Sequence, residues 1–365
     1  MTYKNTPDQR HDTPECLGVL LVNLGTPDAP TVAAVRRYLA EFLWDPRVVE
    51  LPRLIWWLIL HAVILRVRPP RTARAYQAVW TAAGSPLLAI SKRQAAAVQR
   101  ALDARLPGPV RVALGMRYGN PSIPSALAEL RAANARRILV LPLYPQYSAT
   151  TTASAFDAVT REISTWRWLP ELRFVNQYHN DPGYIAALAS SIRAHWAKHG
   201  EPERLLLSFH GIPMDYFLSG DPYHCHCQET ARLLTEQLGL VKEQWILSFQ
   251  SRFGTQEWLQ PYTDETLKAW GAQGVRSVQV ISPGFSADCL ETIEEISVEN
   301  RDYFLESGGE SYGYIPCLND HPEHIEMLAG LVERHGAGWP ELARAANPGA
   351  ITKRLERAQA MGAAA

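Results

Sequence analysis

The sequence predicts an α/β fold of two doubly wound domains, each a parallel sheet flanked by helices, with a shared cleft between them. Short aliphatic runs that end at Gly or Pro alternate with helical stretches of about a dozen residues, which is typical of βαβ units. The same series of strand endings then occurs a second time, which indicates a degenerate internal duplication. Ligands of open α/β sheets bind at the carboxyl ends of the strands, so both halves are expected to face one cleft.

Three strands and four helices are predicted in the first half. The strands cover residues 17–23, 110–116 and 137–143, and the helices cover 31–42, 87–106, 123–134 and a stretch that begins near 153. The first helix has Val32, Val35, Leu39 and Phe42 on one face, as a helix that packs against a sheet requires.

The second half repeats this succession. Its strands are predicted at 205–210, 245–250 and 277–281, and its helices at 230–238, at 264–271 and from about 283. The paired landmarks are Gly-Thr-Pro at 25–27 with Gly-Ile-Pro at 211–213, Arg-Tyr-Gly at 117–119 with Arg-Phe-Gly at 252–254, and residues 144–150 with 282–288. Chance similarity between two α/β halves is the alternative to duplication.

The landmarks also suggest domain boundaries. We place the first domain at residues 1–175 and the second at 176–321. A helix within residues 322–345 is predicted to pack back on the first domain. Residues 358–365 are small and uniform, and we expect them to fray.

Composition narrows the functional classes. The chain has 365 residues, is 47% hydrophobic and carries a net charge of −1. This size and hydrophobicity allow two domains with large cores, and the near-neutral charge argues against nucleic acid as the main partner. Five cysteines do not make a disulfide framework in so long a chain. The first 16 residues are polar and lack an apolar signal core, so we predict a cytoplasmic protein.

Residues 54–65 form the longest apolar run, which includes Trp56 and Trp57. A membrane-spanning helix needs about 20 apolar residues, so this run is not expected to cross a bilayer. It is either a buried core helix or an exposed lip that touches lipid or an apolar ligand. The tryptophans and the arginine-rich flank at 66–74 suit peripheral contact with the inner face of the plasma membrane. We call residues 51–68 the apolar lip.

His210 ends the predicted strand 205–210, where the chain turns out of the sheet. An imidazole at this edge can move protons or hold a metal, although a lone histidine is more often a satisfied core residue. Glu291, Glu295 and Glu299 follow the strand at 277–281 and recur every four residues, so they should lie on one helix face, in line with Asp288. A solvated acidic stripe is the ordinary alternative. If both features face the cleft, they can accept protons and pass a divalent metal.

Aromatic and basic residues are expected around the mouth of this cleft, and they suit a flat apolar ligand with anionic edges. These residues are Arg117, Tyr118, Tyr144, Tyr147, Trp258 and Phe285.

Several motifs, in this order, resemble those of the ferrochelatase family from Val19 to about Pro316. They are Leu-Val-Asn-Leu-Gly-Thr-Pro at 21–27, Gly-Ser-Pro at 84–86, Leu-Tyr-Pro-Gln-Tyr-Ser at 143–148, Ser-Phe-His-Gly-Ile-Pro at 208–213, Gly-Asp-Pro-Tyr at 220–223, Gln-Ser-Arg-Phe-Gly at 250–254, Trp-Leu-Gln-Pro-Tyr-Thr-Asp-Glu at 258–265 and Pro-Gly-Phe-Ser-Ala-Asp-Cys-Leu-Glu-Thr at 283–292. The resemblance implies two Rossmann-like halves around a porphyrin cleft, and the insertion of Fe²⁺ into protoporphyrin IX without a redox step.

The resemblance also implies roles for single residues. His210 and Glu291 correspond to the catalytic pair, with His210 as the acceptor of pyrrole protons, and Glu295 and Glu299 to the acidic ladder. Which of the pair binds the metal first stays open. The implied porphyrin-contacting positions are Asn23, Leu24, Gly25, Thr26, Pro27, Arg117, Tyr118, Tyr144, Trp258 and Phe285.

The sequence departs from the family pattern at cysteine positions. Animal members hold a [2Fe-2S] cluster, but here Ala149 occupies one ligand position and no cysteine follows Cys317, so we expect no such cluster and no prosthetic group. Cys289 stands where some relatives have His, which leaves the metal preference open. Cys225 and Cys227, in a segment expected at the surface, are a weak candidate metal site.

Two rival functions stay open. One is a chelatase for coproporphyrin or for cobalt, and the other is a non-catalytic carrier of tetrapyrrole or metal. A nucleotide-binding enzyme is disfavoured because no Gly-x-Gly-x-x-Gly follows the first strand. The oligomeric state and the iron donor are also open.

Overall fold

The computed structural model describes residues 3–4 and 11–363, and the strands of this part form two parallel sheets of four strands each. The strands are β1 (Cys16–Thr26), β2 (Val110–Gly119), β3 (Ala135–Pro142), β4 (Glu171–Phe174), β5 (Arg204–His210), β6 (Trp245–Gln250), β7 (Ser277–Ile281) and β8 (Ser311–Ile315). The first sheet has the order β2-β1-β3-β4 and the second has the order β6-β5-β7-β8. The same order in both sheets confirms the fold class and matches the predicted repeat.

Helices cover the faces of both sheets. The α-helices are α1 (Val32–Trp44), α2 (Arg53–Ile59), α3 (Leu65–Val79), α4 (Pro86–Arg105), α5 (Ile123–Ala132), α6 (Ser154–Ile163), α7 (Pro182–His199), α8 (Met214–Leu218), α9 (Tyr223–Leu238), α10 (Thr263–Ala272), α11 (Asn300–Glu306), α12 (Pro322–Gly336) and α13 (Pro348–Ala360). Wider π-helical turns occur at Leu60–Ile64, Ala149–Ala153 and Glu291–Glu299, and short 3₁₀ turns at Lys242–Gln244 and Pro340–Leu342.

The largest hydrophobic core lies between the two halves. Leu17, Val19 and Leu21 of β1 face this core together with alternate residues of β5. Leu20 and Val22 face a second cluster on the other side of the first sheet. Both faces of β1 are therefore buried, which explains why its sequence is a nearly continuous aliphatic run.

The apolar lip is exposed on one side. Trp56, Leu60 and Leu65 are buried, whereas Leu54 and Leu58 are 76% and 54% exposed. The structure therefore favours an exposed lip over a core helix. Within residues 3–4 and 11–363, no helix has the length and apolar character that crossing a membrane requires.

The C-terminal part differs in detail from the expectation. Helix α12 packs against α4 and β3 of the first half, as predicted for residues 322–345. The expectation of fraying was wrong for Ala358, which is buried on α13, while residues 364–365 lie outside the described residues. The domain boundary between residues 175 and 176 stays a prediction, because α7 begins just after it and also packs against α12.

Candidate active site

A cleft lies between the two halves and encloses about 1150 Å³ of space, including its open mouth. The first half contributes the end of β1 and the loop after β3, and the second contributes the end of β5 and the segment after β7. The strands β1 and β3 are neighbours in the first sheet, and β5 and β7 are neighbours in the second. On either side of each pair, the sheet extends in opposite directions along the strand order. Ligands of doubly wound sheets bind at such switch points, and the observed cleft follows that rule in both halves at once.

Most residues that the sequence assigned to the site come together in this cleft. The lining contains Asn23, Leu24, Gly25, Thr26, Tyr144, His210, Trp258, Phe285 and Glu291. Gly25 has a φ of 111°, and a Cβ there would collide with the carbonyl oxygen of Tyr118. The close approach of β1 to β2 at the cleft edge therefore requires glycine at this position.

His210 is half-buried and lines the cleft at the end of β5, the second strand from one edge of its sheet. Its Nδ1 atom lies 2.6 Å from the carbonyl oxygen of Gly211. A carbonyl oxygen only accepts hydrogen bonds, so Nδ1 carries the hydrogen and Nε2 of the neutral ring keeps its lone pair. The side chain is therefore a base with one free nitrogen, and it is not closed into the hydrophobic core.

Glu291 is also half-buried, lines the same cleft, and begins the π-helix Glu291–Glu299. The sequence predicted an α-helical ladder with a spacing of four, and this prediction was wrong in its geometry. A π-helix bonds each residue to the fifth one along, so its turn is wider. Glu294 and Glu299, five apart, come close enough that the charge of Glu299 adds to burial in raising the pKa of Glu294.

Glu295 lies behind the cleft lining. Its carboxylate accepts hydrogen bonds from the backbone N–H and the hydroxyl of Ser251, which follows β6 with a left-handed backbone (φ 66°). Burial raises the pKa of Glu295 to about 7, with a further contribution from the charges of Glu291 and Glu299, while the Ser251 bonds oppose the rise. Glu295 therefore exchanges protons near neutral pH. Glu299 is half-buried and does not line the cleft.

Arg117 and Tyr118 are not part of the lining, which corrects the expectation from sequence. The Arg117 guanidinium pairs with Asp45, and the Tyr118 hydroxyl donates to the same carboxylate at 2.8 Å. Ser154 donates to it as well. Burial opposes ionisation of Asp45, but these partners and the Arg47 backbone N–H hold its pKa below the ordinary value. Both predicted residues thus belong to a buried network beneath the cleft.

Two further expectations need correction. Pro27 is buried and does not line the cleft. Asp288 does not continue the acidic line, because its carboxylate is occupied by hydrogen bonds from Tyr314, Asn319 and the Cys317 backbone N–H. Asp288 therefore fastens the start of the π-helix to the segment after β8.

Cys225 and Cys227 lie near the start of α9 and point in different directions. Cys225 is exposed and Cys227 is fully buried, so the segment is not wholly at the surface as expected. Among the described residues, no group of three or more His, Cys, Asp or Glu side chains is arranged to hold a metal ion.

Several site residues were not predicted. Phe42 of α1 and Tyr76 of α3 line the cleft, and the Arg68 guanidinium lies 5.3 Å from the ring centre of Phe253 in the lining. Phe42 was assigned to the apolar face of a predicted helix, and that assignment gave no sign that it also lines the cleft. Arg68 is the last residue of the lip and belongs to the basic flank that was assigned to lipid, and α3 in fact continues through Pro69 and Pro70.

Solved structures with the same architecture identify the fold class. SirB from Bacillus subtilis with Fe3+ has a TM-score of 0.53 and 14% sequence identity, over 90% of this chain and 99% of that chain. The sirohydrochlorin chelatase SirB from Bacillus subtilis subspecies spizizenii in complex with cobalt has a TM-score of 0.50 and 15% identity, over 90% and 98% of the two chains. At these identities the likeness shows the fold alone, which this chain shares with the two SirB structures.

Sequence comparisons define the family. The ferrochelatase family model matches residues 16–336. The ferrochelatase of Thioalkalivibrio sulfidiphilus is 60% identical over 349 residues, which are 96% of this chain and 94% of that protein. The ferrochelatase of Marinobacter nauticus is 59% identical over 93% and 92% of the two chains, and that of Nitrosococcus oceani is 55% identical over the full length of both. The chain belongs to the ferrochelatase family.

Proposed function

We propose that this chain inserts Fe²⁺ into protoporphyrin IX to form protohaem, a step of haem biosynthesis. Membership of the ferrochelatase family supports the reaction. The observation that carries it is the presence of His210 and Glu291 in one aromatic cleft between two rigid sheets. Nitrogen and oxygen ligands of this kind suit a divalent metal, and the same groups can accept protons.

Bending of the macrocycle by the cleft is the first part of the proposed mechanism. The pyrrole nitrogens of a flat porphyrin lie in the plane of the ring, where a metal cannot reach them. Tyr144, Trp258 and Phe285 line the cleft as aromatic contacts for the ring. Binding energy from these contacts can offset the distortion that tilts a pyrrole nitrogen outward.

Proton removal is the second part. Two pyrrole protons leave when one Fe²⁺ enters, so the charge of the macrocycle is unchanged. The free Nε2 of His210 accepts a proton in this proposal, and Glu291 is its acidic partner. Glu295, with a pKa of about 7, is suited to pass protons onward from Glu291. Metal binding by His210 and Glu291, and a relay through Glu295 and Glu299, belong to the same proposal.

The chemistry of the mouth bears on the choice of porphyrin. Arg68 stands beside the lining residue Phe253 and is placed for a carboxylate at the edge of the substrate. The rest of the lip exposes Leu54 and Leu58. This apolar surface favours protoporphyrin, with its vinyl groups, over the tetracarboxylate coproporphyrin.

Metallation under anaerobic conditions tests the function. The pure protein is incubated with protoporphyrin IX and Fe²⁺, and loss of free-base fluorescence is followed. Many equivalents lost per protein molecule are expected from a chelatase, whereas loss of a single equivalent would indicate a carrier. Parallel reactions with coproporphyrin and with Co²⁺ separate the rival chelatases, and we expect the highest kcat/KM for protoporphyrin with Fe²⁺.

The lip also supports a proposal on location. We infer peripheral contact of residues 51–68 with the inner face of the plasma membrane, in an otherwise cytoplasmic protein. Leu54, Ile55 and Val67 are all more than half exposed, and Arg66 and Arg71 follow the apolar run. Apolar residues beside cations bind to an anionic lipid surface.

A [2Fe-2S] cluster of the animal type does not fit these residues. Ala149 occupies one ligand position, and no cysteine follows Cys317. The cysteines lie on β1, on α9, before the π-helix and after β8, so four thiolates are not gathered as such a cluster requires. The absence of a cluster stays a prediction, and analysis of iron and acid-labile sulfide in the purified protein tests it.

A further inference from the structure

Tyr216 connects the second half of the chain with a loop of the first half. It lies on α8, and its hydroxyl donates to the carbonyl oxygen of Val48 at 3.1 Å and accepts from the backbone N–H of Glu50 at 3.3 Å. A hydroxyl can donate and accept at the same time, so the two bonds are compatible. We call these three residues the Tyr216 clasp.

The clasp lies in the wall of the cleft, because Val48 and Tyr216 both line it. Its loop runs from Asp45, which the Arg117 network holds in place, directly into the lip helix α2. Among the described residues, no other hydrogen bond joins residues 45–79 to residues 176–321. Within the described residues, the hydroxyl of Tyr216 is therefore the only hydrogen-bonding group that ties the loop leading into the lip to the second half.

The partners of Tyr216 are main-chain groups. Their positions depend on the path of the loop and not on the side chains of Val48 and Glu50. Burial raises the pKa of Tyr216, so the hydroxyl keeps its hydrogen at neutral pH. Removing this one oxygen breaks both bonds and leaves the sequence of the loop unchanged.

We propose that Tyr216 is a positioning residue that holds the lip against the second half and so keeps the cleft wall in contact with the flat substrate. This inference rests on the proposed function for its effect on the reaction. The tyrosine hydroxyl is bonded to the loop and not to the catalytic pair. It therefore acts on porphyrin binding and not on the insertion step.

The variant Tyr216→Phe tests the clasp. The Glu50 amide loses its acceptor, so its hydrogen exchange should become faster in the protein without substrate. The KM for protoporphyrin should rise about three- to tenfold with kcat within about twofold, which is the range for losing modest hydrogen bonds that affect binding alone. Tyr303→Phe is the matched control, because the Tyr303 hydroxyl makes no hydrogen bond within the described residues.

Unchanged exchange at Glu50 would overturn the inference, and so would a fall in kcat with an unchanged KM. Faster exchange together with unchanged porphyrin affinity would show that the clasp orders the loop without positioning substrate, and would also reject it. The exchange measurement needs no substrate. If the wild-type protein did not metallate protoporphyrin, the proposed function would fail while exchange and a fluorescence titration with protoporphyrin still decide on the clasp.

Discussion

One hydrogen bond sets the tautomer of the neutral His210 ring. The Gly211 carbonyl oxygen accepts from Nδ1, which leaves Nε2 as the basic atom. The sequence could predict that His210 ends a strand at the cleft, because three aliphatic residues precede it and Gly211 follows. It could not predict the tautomer, since that depends on how the next peptide group turns.

Replacing His210 by Ala removes the proposed proton acceptor. We expect kcat for Fe²⁺ insertion to fall by at least about 100-fold, the usual contribution of a general base, while porphyrin binding persists. Steady-state metallation and thermal unfolding measure activity and folding separately. His199→Ala, at an exposed histidine outside the cleft, should keep full activity. A His210→Ala enzyme with a near-wild-type rate and an intact fold would show that another group takes the proton.

Replacing Glu295 by Gln tests the buried acid through stability. The pKa of Glu295 is raised to about 7 in the folded protein from an ordinary value of 4.5. Between these values the folded state holds a proton that the unfolded state has released, so the wild-type free energy of unfolding falls as pH rises. Gln does not titrate. The free energy of unfolding of the variant, minus that of the wild type, should therefore increase from pH 4.5 to 7 and level off above.

Urea denaturation at several pH values measures this difference. Glu310→Gln serves as the control, because Glu310 is exposed and its side chain makes no hydrogen bond or ion pair within the described structure. A difference for Glu295→Gln that stays constant between pH 4.5 and 7 would contradict the raised pKa.

At the scale of elements, the π-helix Glu291–Glu299 explains a limit of the sequence prediction. Acids that recur every four residues fit an α-helix, and nothing in the sequence pattern indicates the wider turn of a π-helix. The π-helix is apparent only in the structure, where Asp288 anchors the segment before it and α11 continues from its end. The helix and its place beside the cleft were predictable, but the pairing of Glu294 with Glu299 was not.

The apolar lip gives a prediction at the same scale. The double variant Leu54→Glu/Leu58→Glu places two charges on its exposed side, where they do not disturb the buried Trp56. We expect lower binding to anionic vesicles in a flotation experiment and an unchanged kcat with saturating porphyrin solubilised in detergent. The matched control is Leu169→Glu/Val241→Glu, since both positions are 57% exposed and lie away from the lip. Equal flotation of both variants and the wild type would contradict membrane contact by the lip.

Helix α7 shows why some elements were missed. Its buried residues include Tyr184, Ile185, Ala187 and Leu188, which do not form one narrow stripe. The helix packs against both α9 and α12, so its sequence lacks the single apolar face that helix prediction relies on. The strands β6 and β7 were easier, because each is a short, mainly apolar run with clear ends.

At the scale of the whole molecule, the internal repeat accounts for most of the fold that the sequence predicted. The matching landmarks of the two halves implied matching topologies, and the sheets do share one strand order. The strand ends therefore meet at one cleft. The error at Arg117 and Tyr118 also concerns the arrangement of distant segments. The prediction placed both residues correctly near a strand end. Their side chains, however, contact the buried carboxylate of Asp45 and do not line the cleft. A distant loop supplies that partner, and no local pattern reveals it.

A structure of this chain with protoporphyrin bound tests the central claim most directly. The account predicts that the macrocycle lies in the cleft between the two halves, bent from planarity, with His210 Nε2 and the Glu291 carboxylate both facing its pyrrole nitrogens. A planar porphyrin bound elsewhere, or one whose centre neither side chain can reach, would contradict it.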